Sequence, residues 1–113
     1  MALHLGGPAS MGEASFDVDV DEAGVTTLHL RGDLDASTSI AIWRQLDDFQ
    51  PTGTVTMELS DVGFVDSSGI GCLFKLCRRV ADAGGILVAT GASPALRHLM
   101  EMAGLNRVIA ILP

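Results

Sequence analysis

Positive charge is scarce in this chain, with 7 Lys and Arg against 14 Asp and Glu and a net charge of −7. Binding nucleic acid without regard to sequence relies on Lys and Arg contacts to phosphate, so this balance argues against it, and an anionic membrane surface is disfavoured by the same sign. Long apolar runs are also missing. The mean hydropathy is positive, yet no run approaches the ~18 residues that a spanning helix needs. Met1 to Gly12 lacks the basic start of a signal peptide, and a cytoplasmic location is the expectation. Cysteine is limited to Cys72 and Cys77, five apart on one predicted helix, which sets their Cα atoms about 8–9 Å apart and beyond a mutual disulfide. His4, His29 and His98 are scattered without ligand spacing, so neither a metal nor a cofactor is expected. The Gly-x-Ser-x-Gly elbow of α/β-hydrolases is lacking as well, since Val65 and Asp66 stand two before Ser67 and Ser68. With no histidine in a segment expected near those serines, an enzyme is not expected.

What is present fits one domain, because 113 residues allow a single core between a sheet and its helices. Residues 1–15 are rich in Gly, Ala and Ser without periodicity and read as a flexible arm, a short added strand being the other option. The domain proper is read as 16–113. Phe16 to Val20 alternates apolar and acidic residues, Asp21 to Gly24 turns the chain, and Val25 to Arg31 follows, so a hairpin is predicted. Gly32-Asp33-Leu34-Asp35 reads as a break, and Ala36 to Gln50 as a helix with Ile42, Trp43, Leu46 and Phe49 on its buried stripe, stopped by Pro51 and Gly53. Asp33 and Asp35 suit a turn and a helix cap; a carboxylate pair so placed is a weak signal for acid–base chemistry.

Thr54 to Leu59 alternates as a strand. The helix from Ser68 to Ala83 carries Ile70, Leu73, Phe74, Cys77, Val80 and Ala81 at helical spacing, which predicts a buried Cys77 and outward Cys72, Lys75 and Arg79. Ile86 to Thr90 is a continuous apolar run, as in a strand covered on both faces. Ser93-Pro94 is a helix start, with Leu96, Leu99, Met100 and Ala103 buried, Gly104 its stop, and Val108 to Leu112 a last strand. The order β-β-α-β-α-β-α-β makes this an α/β protein with a mixed sheet of about five strands and about three helices.

The informative join is Asp66-Ser67-Ser68-Gly69, where strand gives way to helix. One serine suffices as a cap, and Ser67 is read in that role with Ser68 in the first turn. A second hydroxyl is left where exposed amides and the helix dipole favour an anion, phosphate above all.

The run Leu59-Ser60-Asp61-Val62-Gly63-Phe64-Val65-Asp66-Ser67-Ser68-Gly69-Ile70-Gly71, with Gly32-Asp33-Leu34-Asp35 upstream and Ser93 to Leu105 downstream, resembles the STAS domain family. More narrowly it is similar to the small bacterial anti-sigma factor antagonists, over roughly Phe16 to Leu112. The resemblance implies a partner switch: an anti-sigma factor that is also a serine kinase phosphorylates the serine matching Ser67, the unmodified antagonist binds that factor, and phosphate reverses binding. It also implies a phosphatase. The docking surface is read as Asp33, Asp35, Asp66, Ser68, Gly69, Gly71, Cys72, Lys75 and Arg79 around Ser67. Two departures stand out, the long arm before Phe16 and the end at Pro113, where many members continue into another helix. Self-association stays open, and so does a rival role as a non-phosphorylated structural subunit of a signalling or lipid-transport assembly.

Overall fold

Val55, Met57 and Leu59, the apolar half of the alternation that starts at Thr54, are each 1% exposed or less. The computed structural model describes residues 2–5, 15–47 and 53–112. In chain order its elements are β1 (Ala2–Leu5), β2 (Ser15–Val20), β3 (Thr26–Leu34), α1 (Ala36–Asp47), β4 (Thr54–Val65), α2 (Ser67–Asp82), β5 (Ile86–Thr90), α3 (Pro94–Met102), a 3₁₀ turn (Leu105–Arg107) and β6 (Ala110–Ile111). The six strands form one mixed sheet in the order β1-β2-β3-β4-β5-β6. The pairs β1/β2 and β2/β3 are antiparallel, and β3/β4, β4/β5 and β5/β6 are parallel. The five anticipated strands are all present; the sixth, β1, is the strand option within the first fifteen residues, pairing Leu5 with Phe16 and Ala2 with Asp19.

The turn between β2 and β3 closes because the Asp21 carboxylate accepts from Val25 N–H at 2.9 Å while its own N–H donates to the Val25 carbonyl at 3.0 Å. Beyond it the sequence reading needs correction. Gly32-Asp33-Leu34 does not break β3. The strand continues to Leu34 and absorbs the irregularity in register shifts between His29 and Arg31 and between Gly32 and Leu34, with Gly32 at φ 85°, where a side chain would be strained. Likewise β4 does not stop at Leu59 but runs to Val65, because Val62 and Val65 keep feeding the core.

One sheet face is buried. In-register Leu28, Met57 and Ala89 are covered by Ile42 of α1, by Ile70, Leu73, Leu76 and Val80 of α2 and by Leu96 and Met100 of α3, all in a single cluster. The other face carries the in-register row Asp17, His29, Glu58 and Thr90, each half-buried. The expectation that β5 is covered on both faces is therefore corrected: Leu87 and Ala89 are buried, while Val88 and Thr90 are half-buried and Ile86 is exposed. The last strand is also shorter than Val108 to Leu112, since the chain first makes the 3₁₀ turn. Asp48 to Gln50 and Pro51, read as the end and stop of the first helix, lie outside the described residues, as do Phe49 and the Leu46 side chain.

Gly69 and Gly71 occupy one helix turn under opposite constraints. A Cβ on Gly69 would lie 2.7 Å from Leu34 Cβ and 2.8 Å from Val65 Cγ1, and against the Leu34 carbonyl, whereas a Cβ on Gly71 meets nothing within 4 Å. Gly69→Ala is expected to lose about 2 kcal/mol or more through overpacking. Gly71→Ala is expected to gain about 0.5–1 kcal/mol from helix propensity. Equal denaturation midpoints for the two variants would contradict this packing.

On the open face, Glu58 accepts from Ser60 N–H at 2.6 Å and from the Thr90 hydroxyl at 3.2 Å. Bonding to Ser60, then to Thr90, with the charge of His29 adding to it, holds its carboxyl below the ordinary value of 4.5. A depressed folded-state pKa contributes stability above the unfolded value, lost as pH falls through the folded one. Melting temperature should therefore fall as pH drops below 4.5, and Glu58→Gln should flatten that slope; an unchanged slope would remove Glu58 from acid sensitivity.

Candidate functional site

The ends of β3 and β4 lie side by side, Leu34 opposite Val65, with the Asp66 N–H donating to the Leu34 carbonyl at 3.1 Å. Each strand is followed by an aspartate that caps a helix. Asp35 Oδ1 accepts from the N–H groups of Ser37 and Thr38, both at 3.0 Å, and from the Ser37 hydroxyl at 2.8 Å. The Ser37 hydroxyl first, and the Thr38 N–H next, hold the Asp35 carboxyl below its ordinary range. Asp66 Oδ1 accepts from Ser68 N–H at 2.8 Å and Gly69 N–H at 3.1 Å. Asp33 does something different: its Oδ1 accepts from Phe64 N–H at 2.9 Å and clasps the two strand ends together. A Cβ on Gly63 would stand 2.7 Å from that oxygen, so the glycine makes room for the clasp.

The expectation that Ser67 caps α2 is thus corrected by one residue. The cap is Asp66, because a carboxylate accepts two amide bonds at once where a hydroxyl generally accepts one. Ser67 becomes the first helical residue, exposed, and its hydroxyl makes no hydrogen bond among the described residues. Ser68, half-buried, faces a small cleft shared with Ser39, Ile40, Trp43 and Gly71. An exposed hydroxyl on the first turn has the dipole's positive end behind it, where negative charge is favoured.

Cys72 does not project outward. It is 1% exposed, while Cys77 is half-buried and Phe74 exposed. The reason is that α2 packs against α1 as well as the sheet, so its buried arc turns to include Cys72 and Leu76. Burial pushes the Cys72 thiol up to about 11, opposed less strongly by the Trp43 indole and the charge of Lys75. Lys75 and Arg79 lean on α1 instead of standing free. Lys75 Nζ lies 3.4 Å from Asp47 Oδ1 and 4.6 Å from the centre of the Trp43 ring, and Arg79 donates to the Asp47 carbonyl at 3.3 Å. Of the expected docking residues, Asp33, Asp35, Asp66, Ser68, Gly69 and Gly71 are brought together around Ser67; Gly69 is buried against the strand ends, and Lys75 and Arg79 form a separate bridge between helices.

Trp43 and Ile40 are what the sequence reading missed. Trp43 was expected in the core, yet it is 41% exposed and Ile40 56% exposed. Their spacing of three, offset from Ile42, marks a second face of α1, and that was the available signal. Among the described residues no group of three His, Cys, Asp or Glu side chains is arranged to hold a metal ion, and no helix is long and apolar enough to cross a membrane.

Three comparisons bear on this geometry. The anti-sigma F factor antagonist of Paenibacillus polymyxa is 28% identical over 91 residues, covering 78% of each chain. The fold is shared with an anti-sigma factor antagonist from Mycobacterium paratuberculosis, at a TM-score of 0.70 and 22% identity over 94% of this chain and 91% of the other. It is shared too with the Bacillus cell fate determinant SpoIIAA in its phosphorylated form, at a TM-score of 0.64 and 20% identity over 87% and 91%. The family model described as Mlab, STAS domain, matches residues 18–113, and the chain belongs to the STAS domain family, similar in sequence and fold to anti-sigma factor antagonists.

Proposed function

We propose that the protein is a non-catalytic anti-sigma factor antagonist that works in the cytoplasm by partner switching. Unphosphorylated, it binds an anti-sigma factor with serine kinase activity; phosphorylated on Ser67 with ATP as donor, it is released until a phosphatase restores it. The observation that carries this reading is the exposed Ser67 hydroxyl on the first turn of α2, relieved of capping by Asp66. A phosphate there adds a charge of about −1.5 to −2 at neutral pH. Within the molecule the helix N-terminus tolerates that charge. A partner packed over Ser67, Ser68 and Gly71 would have to desolvate it, and release follows with little rearrangement of the fold. Asp33, Asp35 and Asp66 shape the rim of this surface, Lys75 and Arg79 extend it along α2, and Gly69 and Cys72 support it from beneath.

A second reading is a non-phosphorylated structural subunit of a signalling or lipid-transport assembly, since the fold does not fix the function. Intact-mass measurement on protein purified from its own cells separates the two, because a fractional gain of one phosphate supports the switch and its complete absence supports the subunit.

Substitutions at the two serines sharpen the test. Ser67→Ala is expected to resist phosphorylation, keep its partner and lose no more than about 0.5 kcal/mol, since it is not the cap. Ser67→Asp is expected to fold at least as well, an acid being favourable in the first turn, and to bind its partner poorly. Ser68→Ala should change the phosphorylation rate without removing the site. Phosphopeptide mapping that places the modification on Ser68, or tight binding by Ser67→Asp, would overturn the assignment.

A further inference from the structure

The two edges of the sheet are managed differently. At one end of the strand order stands β6, two residues long. Leu112 N–H donates to the Ala89 carbonyl at 2.8 Å, which turns the backbone of Ile111 outward, and there the Ile111 carbonyl accepts from the Arg97 guanidinium at 3.2 Å. That edge is short and its outward acceptor is taken. At the other end stands β1, Ala2-Leu3-His4-Leu5, without the Lys, Asp, Glu or Pro that ordinarily guards an open edge. We infer that β1 pairs antiparallel with β1 of a second copy of this chain, about a two-fold axis beside Leu3, joining the two sheets edge to edge.

Hydrogen-bond alternation decides which groups of β1 are available. Asp21 N–H donates to the Val25 carbonyl, so alternation down the antiparallel ladder makes Asp19 with Thr27, and Asp17 with His29, the hydrogen-bonded pairs between β2 and β3. Val18 and Phe16, lying between them, turn their backbone groups to the other side, toward their register partners Leu3 and Leu5. Ala2 and His4 are then the residues of β1 whose N–H and C=O groups point out of the sheet, where no strand stands among the described residues.

This pattern is its own complement. An axis beside Leu3 sets Ala2 of each copy opposite His4 of the other, each pair exchanging both its N–H···O=C bonds, and the contact closes without leaving a further edge to propagate. Leu3 of one copy meets Leu3 of the other on the face that carries Val18 and Leu28, the face of the core. Charge permits the approach although each copy carries −7. No carboxylate is set opposite another, Asp17 is engaged by Arg31, and His4 enters the row that holds Asp19 of the other copy. Leu3 is in register with Met57, midway along β4 and away from the Val65 end where Ser67 stands, so the inference is independent of the partner-switch reading.

An edge of four residues buries little area, and the dimer is accordingly weak. Sedimentation equilibrium of the full chain from roughly 10 μM to 1 mM should show monomer passing into dimer. His4→Pro removes an outward N–H and leaves the bonds to β2, a position where an edge tolerates proline; it is expected to weaken association roughly tenfold or more with an unchanged thermal melt. Leu112→Asp, beside β6, should associate like the parent. Amide exchange in the parent protein needs no variant: the His4 N–H should exchange severalfold more slowly at the high concentration than at the low one. Should His4→Pro melt lower, the exchange result decides. A monomer at every concentration, a dimer that His4→Pro leaves intact or that Leu112→Asp dissolves, or His4 exchange independent of concentration overturns the inference.

Discussion

The pairing of Leu34 with Val65 is the constraint on which the rest of the site depends. Once the ends of β3 and β4 are locked in parallel register, the residues that follow, Asp35 and Asp66, are each delivered to the start of a helix, and each carboxylate accepts the orphan amides it finds there. Because Asp66 also donates its N–H to the Leu34 carbonyl, α2 is fixed to the neighbouring strand as well as to its own. The Asp33 clasp to Phe64 N–H reinforces the same junction from the other side. Ser67 owes its exposure to this arrangement, since the cap is supplied before the serine is reached.

Much of the fold was legible because each segment carried one dominant signal. Strands β2 and β4, the existence of β5, the hairpin turn at Asp21 and the Ser93-Pro94 helix start follow from alternation, a short apolar run, turn chemistry or capping, and each needs only its own neighbours. The Ser93 hydroxyl does accept from Leu96 N–H at 3.1 Å, as a cap should. Where the reading failed, a tertiary partner decided. Gly32-Asp33-Leu34 reads as a break by composition, but the adjacent β4 supplies a ladder that accommodates the bulges. Cys72 and Cys77 are both compatible with a stripe through Ile70, Leu73 and Val80, and only the presence of α1 selects Cys72 for burial.

The site shows the same division. That Asp66, Ser67, Ser68 and Gly69 belong together was readable from the motif; which of the first two caps the helix was not, because both residue types are good caps and stand one position apart. The groove between the helices was signalled in sequence only by the spacing of Ile40 and Trp43, since it is made by Trp43 failing to be buried, and burial of a large aromatic residue is the safer expectation from composition. Its ring instead lies under Lys75, with Asp47 holding the ammonium in place, so the bridge between helices is built from residues that read separately as solvated charges.

Strand order in this sheet equals chain order, and every strand hydrogen-bonds to the one made just before it. During synthesis from the N-terminus, therefore, no strand has to wait for a distant partner: each newly emerged segment extends an existing edge, and each crossover helix closes over strands already in place. Loop-closure entropy is met in short instalments, which for a largely parallel sheet, ordinarily slow because its pairings are non-local, limits the time that unpaired edges stay open to other chains.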